Sequence, residues 1–343
     1  MMYTYWKMIL SAVVALTCAV YHVHAQTDLQ RQVDACGPLT VCAITVPAGV
    51  NVVTKPWNLR DKTWLTIRGT GTVIWFFDAD PPPTLCLDTT GTRNIVIEGV
   101  TFGLGNASKR PSVLWLHGRG ADSKSQTVLS VINAGFQGWF TKATVAFIAV
   151  ENEVMTSVGF ENGVPNTTSL FLSRDNELGV TSPFGPVRVN VVTMTSTNHA
   201  YYNCSLGHEG HVGLVPPANN DGASGLRIGT GVHDLLIQGG STSQGSRGGV
   251  LHVTGLNNRR VAVVSPNWES EEAKANIVID GDLFGLSVRD GLLQAAGPAL
   301  RVNGTAGNVI LCPTEMLTTS ILQLGPAGKL TGTGLVVGGF SGK

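Results

Sequence analysis

Charged side chains are scarce in this chain. Asp, Glu, Lys and Arg make up only 13% of its 343 residues, about half the usual share. The 23 basic residues are balanced by 23 acidic ones, and no basic stripe runs through the sequence. Nothing in it is suited to releasing counterions from a nucleic acid or holding an acidic membrane surface. Past the N-terminus no segment approaches the ~20 consecutive apolar residues of a membrane-spanning helix. Dense Asp clusters of the kind that hold Ca²⁺ are missing as well. What is plentiful is glycine, 42 residues of it, together with Thr, Val and Asn. Low charge with these residues excludes a helical bundle and fits short strands joined by tight turns.

The first 25 residues read as a secretion signal. Lys7 supplies the positive start, Met8 to Val20 the apolar core, and Val23-His24-Ala25 a small-x-small cleavage site before Gln26. An uncleaved membrane anchor is the competing reading of this stretch. Cleavage removes one Lys and no acid, leaving a mature chain near −1, expected to be extracellular, or periplasmic in a bacterium. Of six cysteines, Cys18 leaves with the signal, and Cys36 and Cys42 are close enough to staple the start of the fold. Cys86, Cys204 and Cys312 cannot then all pair internally, so at least one is a buried thiol or pairs with another chain. Sequons at Asn106, Asn166, Asn203 and Asn303 are acceptors for N-glycosylation in a eukaryotic secretory pathway.

The mature part opens with a capping box, Thr27-Asp28-Leu29-Gln30, which predicts a short helix with Leu29 and Val33 on one face and Gly37-Pro38 as its stop. Such a helix is suited to cover the open end of a stack of strands. A repeat then takes over. Apolar triplets occur at Ile44-Thr45-Val46, Leu65-Thr66-Ile67, Ile95-Val96-Ile97, Leu235-Leu236-Ile237, Ile277-Val278-Ile279, Leu300-Arg301-Val302 and Leu322-Gln323-Leu324. Most are followed within a few residues by Gly, Asn or Asp. A second set lies between them, at Val73, Val113, Val250, Val309 and Leu335. Two or three strands per ~22-residue unit predict a single-stranded parallel β-helix, residues 26–343 forming one domain. A hairpin sandwich would need Asn-Gly or Asp-Gly turns that are sparse here. Asp78 to Pro83, Asn106 to Pro111, Gly118 to Gln126, Pro165 to Pro186 and Ser205 to Gly225 read as loops pushed out of the coils.

Asp34-Ala35-Cys36, Cys42, Val46-Pro47-Ala48-Gly49 and Leu65 to Thr72, continued by Asn94 to Gly99, resemble the pectin-lyase-like right-handed β-helix superfamily, and within it the front end of the polygalacturonases. The resemblance is specific over roughly Asp28 to Gly103 and pattern-level beyond. It implies the fold, and a family rich in enzymes that cut acidic polysaccharides. The family's hydrolytic acids do not follow. Its Gly-His-Gly segment is echoed by Ser224 to Gly231 without the histidine, and Asn203-Cys204 stands where its Asp-Asp pair would fall. Neither can supply the protonated and ionised carboxylates that glycoside hydrolysis uses. The Arg-x-Pro-x-x-Arg pattern of pectate lyases and the Asp-Pro-His of epimerases are also missing.

Acid/base candidates are therefore sought elsewhere. His208-Glu209-Gly210-His211 reads as an acid/base cluster, as a metal site lacking a third ligand, or as a solvated polar loop. Asp175 beside Arg174, and Asp221, suit proton transfer or recognition of an acidic sugar, or a plain surface ion pair. Arg188, Arg227 and His233 are candidates for holding uronates, while Asp280 and Asp282 read as turn residues. Trp139 and Tyr201 are candidate stacking platforms for sugar rings, with Trp115 and Tyr202 beside them, the core being the competing position for each. The expectation is an exported protein acting on or binding polysaccharide along the solenoid, by hydrolysis or β-elimination if an enzyme, with no cofactor or metal. The alternative is a non-catalytic glycan-binding or appendage protein. An unpaired cysteine or end-to-end stacking offers a route to oligomers.

Overall fold

The computed structural model describes residues 28–76, 84–104, 110–119, 128–164, 167–187, 198–206, 224–242, 248–270 and 273–338. Among them, strands pair in parallel with the equivalent strand one coil later, in sheets of 15, ten and three strands. This is a parallel β-helix. Its inward columns show why the sequence winds this way. Register carries one column from Ile44 through Ile67, Ile97, Val131, Met155, Tyr201, Ile237, Val263 and Val288 to Leu311. Every one of these side chains is at most 2% exposed. Burial of each large aliphatic contributes roughly 1.5–3 kcal/mol, and the alternate positions face out, which is the period-2 pattern of a half-buried strand.

The corner after each long-sheet strand forms a second column. Asn133, Ser157, Asn203, Gly239, Ser265 and Asp290 follow strand ends that stand in register, and all have φ between +50° and +66°. The chain turns there through the left-handed region, which short polar residues and glycine enter most readily. On another face Phe102, Phe136 and Phe160 stack, with ring centroids 5.4 and 5.6 Å apart.

The helix forms at residues 28–34 and buries Leu29 and Val33 against the first coils, whereas Thr27, its expected cap, lies outside the described residues, as does the signal segment. Cys36 and Cys42 form a disulfide. Cys86 and Cys204 are buried and Cys312 is half-buried. Two expectations need correcting. The first triplet set mixes two faces, because Leu65 and Leu235 lie in the long sheet while Ile277, Leu300 and Leu322 lie in the ten-stranded one. Both faces share the coil period, so spacing alone cannot separate them. The expected loop from Pro165 to Pro186 contains a buried strand, Thr168–Ser173, whose Thr and Ser flanks hide it.

A neighbouring inward column is aliphatic on both sides of a polar break. Leu65, Ile95 and Leu129 lead to Glu153 and His199, and Leu235, Val261 and Leu286 follow. Glu153 and His199 are 1% and 4% exposed, with Oε2 and Nδ1 3.4 Å apart. The Tyr201 hydroxyl donates to Glu153 Oε1. Burial, and then the Glu153 carboxylate, hold the Tyr201 phenol well above its usual range. Burial likewise pushes the nearby Cys204 thiol up to about 11.

Removing Glu153 leaves the buried Tyr201 hydroxyl without its acceptor, at a cost of roughly 1–3 kcal/mol. Glu153→Leu should show that loss in denaturant unfolding. The triple variant Glu153→Leu/His199→Leu/Tyr201→Phe completes the aliphatic column and should recover most of it; a triple variant as weak as the single one would contradict this. His117 gives a pH test. It faces inward on the ten-stranded sheet, with Nδ1 3.0 Å from both the hydroxyl and the carbonyl oxygen of Thr89, and burial lowers its pKa from 6.5 to about 4. Between those values the unfolded chain binds a proton that the folded one refuses, so stability falls as pH drops, by about 3 kcal/mol in all. His117→Gln should flatten that slope.

Candidate functional site

The ten-stranded sheet has an outward column that changes character halfway along. It begins with Asn58 and Asp88, and Leu116, Ala146 and Phe171 follow in register. The last three lie buried beneath segment 174–187, whose Val180 is buried and whose Leu178, Phe184 and Val187 pack on the same cluster. Arg60 clasps that segment to the coils. Its guanidinium donates to Asp88 at 3.1 Å and to the carbonyls of Gly185 and Pro186, while the Ser182 hydroxyl donates to Asp88. A cleft of about 490 Å³ beside this clasp is lined by Asp34, Lys55, Asn58, Arg60, Lys62 and Phe184. There Lys62 donates to the carbonyl of Cys36 at 2.6 Å, and burial holds its ammonium below the usual range.

Past Phe171 the outward column becomes polar: Arg227, His252, Val278, Arg301 and Gln323. Rungs about 4.8 Å apart place Arg227 and Arg301 three rungs, about 14 Å, from each other. Between them His252 Nε2 meets Asp280 Oδ2 at 2.7 Å. Because a carboxylate only accepts, that nitrogen carries the proton. The other carboxylate oxygen accepts from Asn303 Nδ2 at 2.7 Å. The His252 hydrogen bond is the largest cause holding Asp280 below the usual carboxylate range, with Asn303 and the charge of Arg301 acting in the same sense. Arg227 Nε donates to Thr254 Oγ1 at 3.2 Å. Burial lowers the pKa of its guanidinium, while the charges of Glu177 and Asp280 act to raise it.

Backbone geometry sets these side chains in a row. Gly229, Gly255, Gly281 and Gly304 follow the four strands at one corner. A Cβ on Gly255, Gly281 or Gly304 would come within 2.0–2.2 Å of the glycine backbone one coil below. The corner can stack only without side chains, and that close stacking brings Thr254, Asp280 and Asn303 into hydrogen-bond reach of the strand residues beside them. Among the described residues, His252 Nδ1 and Arg301 Nε are shielded from solvent and have no hydrogen-bond partner. Arg301 also lines a cleft of about 470 Å³ with Lys274, Gly297, Pro298, Thr319, Ser320 and Gln323, and among the described residues no acidic side chain lines it.

The sequence candidates divide three ways. Arg227 sits at the head of the polar row. Arg174 and Asp175 form a 3.8 Å pair at its margin, where the Arg174 side chain lies against Gly231. Trp139 is half-buried against Gly163, at the corner that leads into the ten-stranded sheet, so it is not brought to the row. Tyr201 is corrected: it is fully buried beneath the long sheet, bonded to Glu153, and presents no face to a sugar. Trp115 is buried too. Asn203 is exposed at its corner, and Asn303 is half-buried with its amide on Asp280. Arg188, His208, Glu209, Asp221, Asn106 and Asn166 lie outside the described residues. Among the described residues, no group of three or more His, Cys, Asp or Glu can hold a metal ion, and no helix is long and apolar enough to cross a membrane.

Sequence reasoning missed His252 and took Asp280 for a plain turn residue. The signal was available, since aligning Val250-Leu251-His252-Val253 with Ala275-Asn276-Ile277-Val278-Ile279-Asp280 one coil later puts the acid next to the imidazole.

No protein-family profile matches the sequence, and no curated protein does. Among solved structures, the A-module of the Azotobacter vinelandii mannuronan C-5 epimerase AlgE4 is similar over 90% of this chain and 96% of its own, at 14% identity and a TM-score of 0.39. A likeness at that level carries no functional argument, and the site stands on its own geometry.

The carboxyl of Asp280 should titrate below 3.8 by NMR. In His252→Leu the midpoint should rise toward the ordinary carboxylate value, because the largest stabilising bond to the ionised form is gone. An unchanged midpoint would contradict the pairing.

Proposed function

We propose that this is an exported carbohydrate-active β-helix protein that holds a polysaccharide along the outer face of its ten-stranded sheet, over Arg227, His252–Asp280 and Arg301. The polar row carries the reading. Two arginines about three rungs apart, with a fixed imidazole and hydroxyl and amide groups between them, suit a chain of sugars bearing carboxylates. The row is preformed by the stacked corners, so little ordering is lost on binding. Fold alone is a weak warrant, because one fold hosts many functions. Chemistry on the held chain would draw on Asp175 and on His208, Glu209 and Asp221, which precede the Arg227 strand in sequence, by hydrolysis or elimination.

A second reading, binding without catalysis, is favoured by one observation. His252 has one nitrogen held by Asp280 and the other shielded from solvent, so the imidazole orients charge, and its unprotonated nitrogen is out of reach of a substrate proton.

One screen separates the two readings. Purified protein is tested against uronic-acid and neutral polysaccharides for retention, for new reducing ends and for unsaturated products. Arg227→Ala and Arg301→Ala should each weaken retention of an acidic glycan roughly tenfold or more, the loss of a charged hydrogen bond. Retention without product supports the binding reading. Retention unchanged in both variants, or none on any glycan, overturns the placement.

A further inference from the structure

The outer face of the long sheet is unlike the polar row. Its middle column runs in register over eleven rungs from Ala43 to Val336 and contains no charged residue. The nine outward residues of strands Val128–Ile132, Asn152–Thr156 and Asn198–Tyr202 are also uncharged. Of twelve exposed large hydrophobics among the described residues, six lie on this face, with Val128 at 51% and Val154 at 45%. Charge is confined to the flanks, as the Arg68–Glu98 and Asp234–Arg260 pairs and the exposed Arg289, which donates to the Ser287 hydroxyl. The ten rungs from Ala43 to Ile310, five residues wide, cover about 48 by 16 Å, or nearly 800 Å² per copy, the size of a standard stable interface.

Along this column, large and small residues stand in an order that is complementary to its own reverse. The sequence of rungs is Ala43, Thr66, Val96, Ser130, Val154, Ala200, Leu236, Ala262, Ser287, Ile310. Consider a two-fold axis in the interface, parallel to the strands and passing between the rungs of Val154 and Ala200. It sets Val154 opposite Ala200 of the second copy, Leu236 opposite Ser130, Val96 opposite Ala262 and Ile310 opposite Ala43. Thr66 and Ser287 meet as a hydroxyl pair. Each large side chain faces a small one, which is what two sheets packed about 10 Å apart need to interdigitate. A two-fold interface must be self-complementary in this way. A glycan or an unrelated protein places no such demand on the order of residues.

We propose that this face docks a second copy of the same chain, giving a side-by-side two-fold dimer that leaves the polar row of each copy open. Sedimentation equilibrium without glycan, at micromolar concentration and with reductant present, should give twice the chain mass. Val154→Lys puts two ammonium groups against each other near the axis and should yield a monomer with unchanged thermal unfolding of the single chain. Val154→Lys/Ala200→Glu sets each lysine opposite a glutamate of the other copy and should restore the dimer. A monomeric wild type, a dimer that reductant abolishes, or a Val154→Lys protein that stays dimeric would overturn the proposal. So would failure of the double variant to re-form a dimer while its fold is intact.

Discussion

Main-chain hydrogen bonds join each coil to the one before and after, and they decide which residue lies above which. Everything else in the molecule depends on that stacking. A one-residue slip would turn every inward Val, Ile and Leu of a strand toward water. The long inward column holds because ten coils in succession place an apolar side chain, or the Tyr201 ring, at the same rung position. The same constraint governs the corners. Left-handed Asn, Ser, Asp and Gly residues end the long-sheet strands, and a glycine column allows the backbone of one coil to touch the next where the polar row begins.

Stacking also explains how a chain poor in charge can concentrate chemistry. Residues 25 or so apart in sequence become neighbours about 4.8 Å apart, so single polar residues on successive coils add up to a row. His252, Asp280 and Asn303 are unremarkable one at a time. Together they form a bonded chain of imidazole, carboxylate and amide, with Arg227 and Arg301 to either side. The two broad faces are used differently. The ten-stranded sheet is covered at Leu116, Ala146 and Phe171 by a clasped apolar segment and polar beyond it, whereas the middle column of the long sheet's outer face is uncharged along its length.

Much of the architecture was legible in the sequence. The triplets, their spacing and the glycine, Asn or Asp that follows them are direct images of inward columns and left-handed corners, and the capping helix was readable from Leu29, Val33 and Gly37-Pro38. The phase of the triplets was not, because two faces share one period. The site was only partly legible. Arg227 stood out by type, but Tyr201 was misplaced because a Tyr-Tyr pair looks like a platform. Which of the two points inward depends on register with Met155 and Ile237, across insertions that blur the count. His252 and Asp280 were hidden for the same reason: their partnership spans 28 residues and exists only once the coils are aligned. Glu153 and His199 share that property, each an isolated polar residue until the column places one above the other.

The central functional claim is a place, the outer row from Arg227 to Arg301. It is tested most directly by a crystal structure of the protein with a short acidic oligosaccharide bound. The sugar is expected to run across the rungs of the ten-stranded sheet, with carboxylates within hydrogen-bond distance of Arg227 and Arg301 and a ring over His252. A well-ordered oligosaccharide on the long sheet, or in the cleft at the capped end, with the polar row still solvent-filled, would contradict the account.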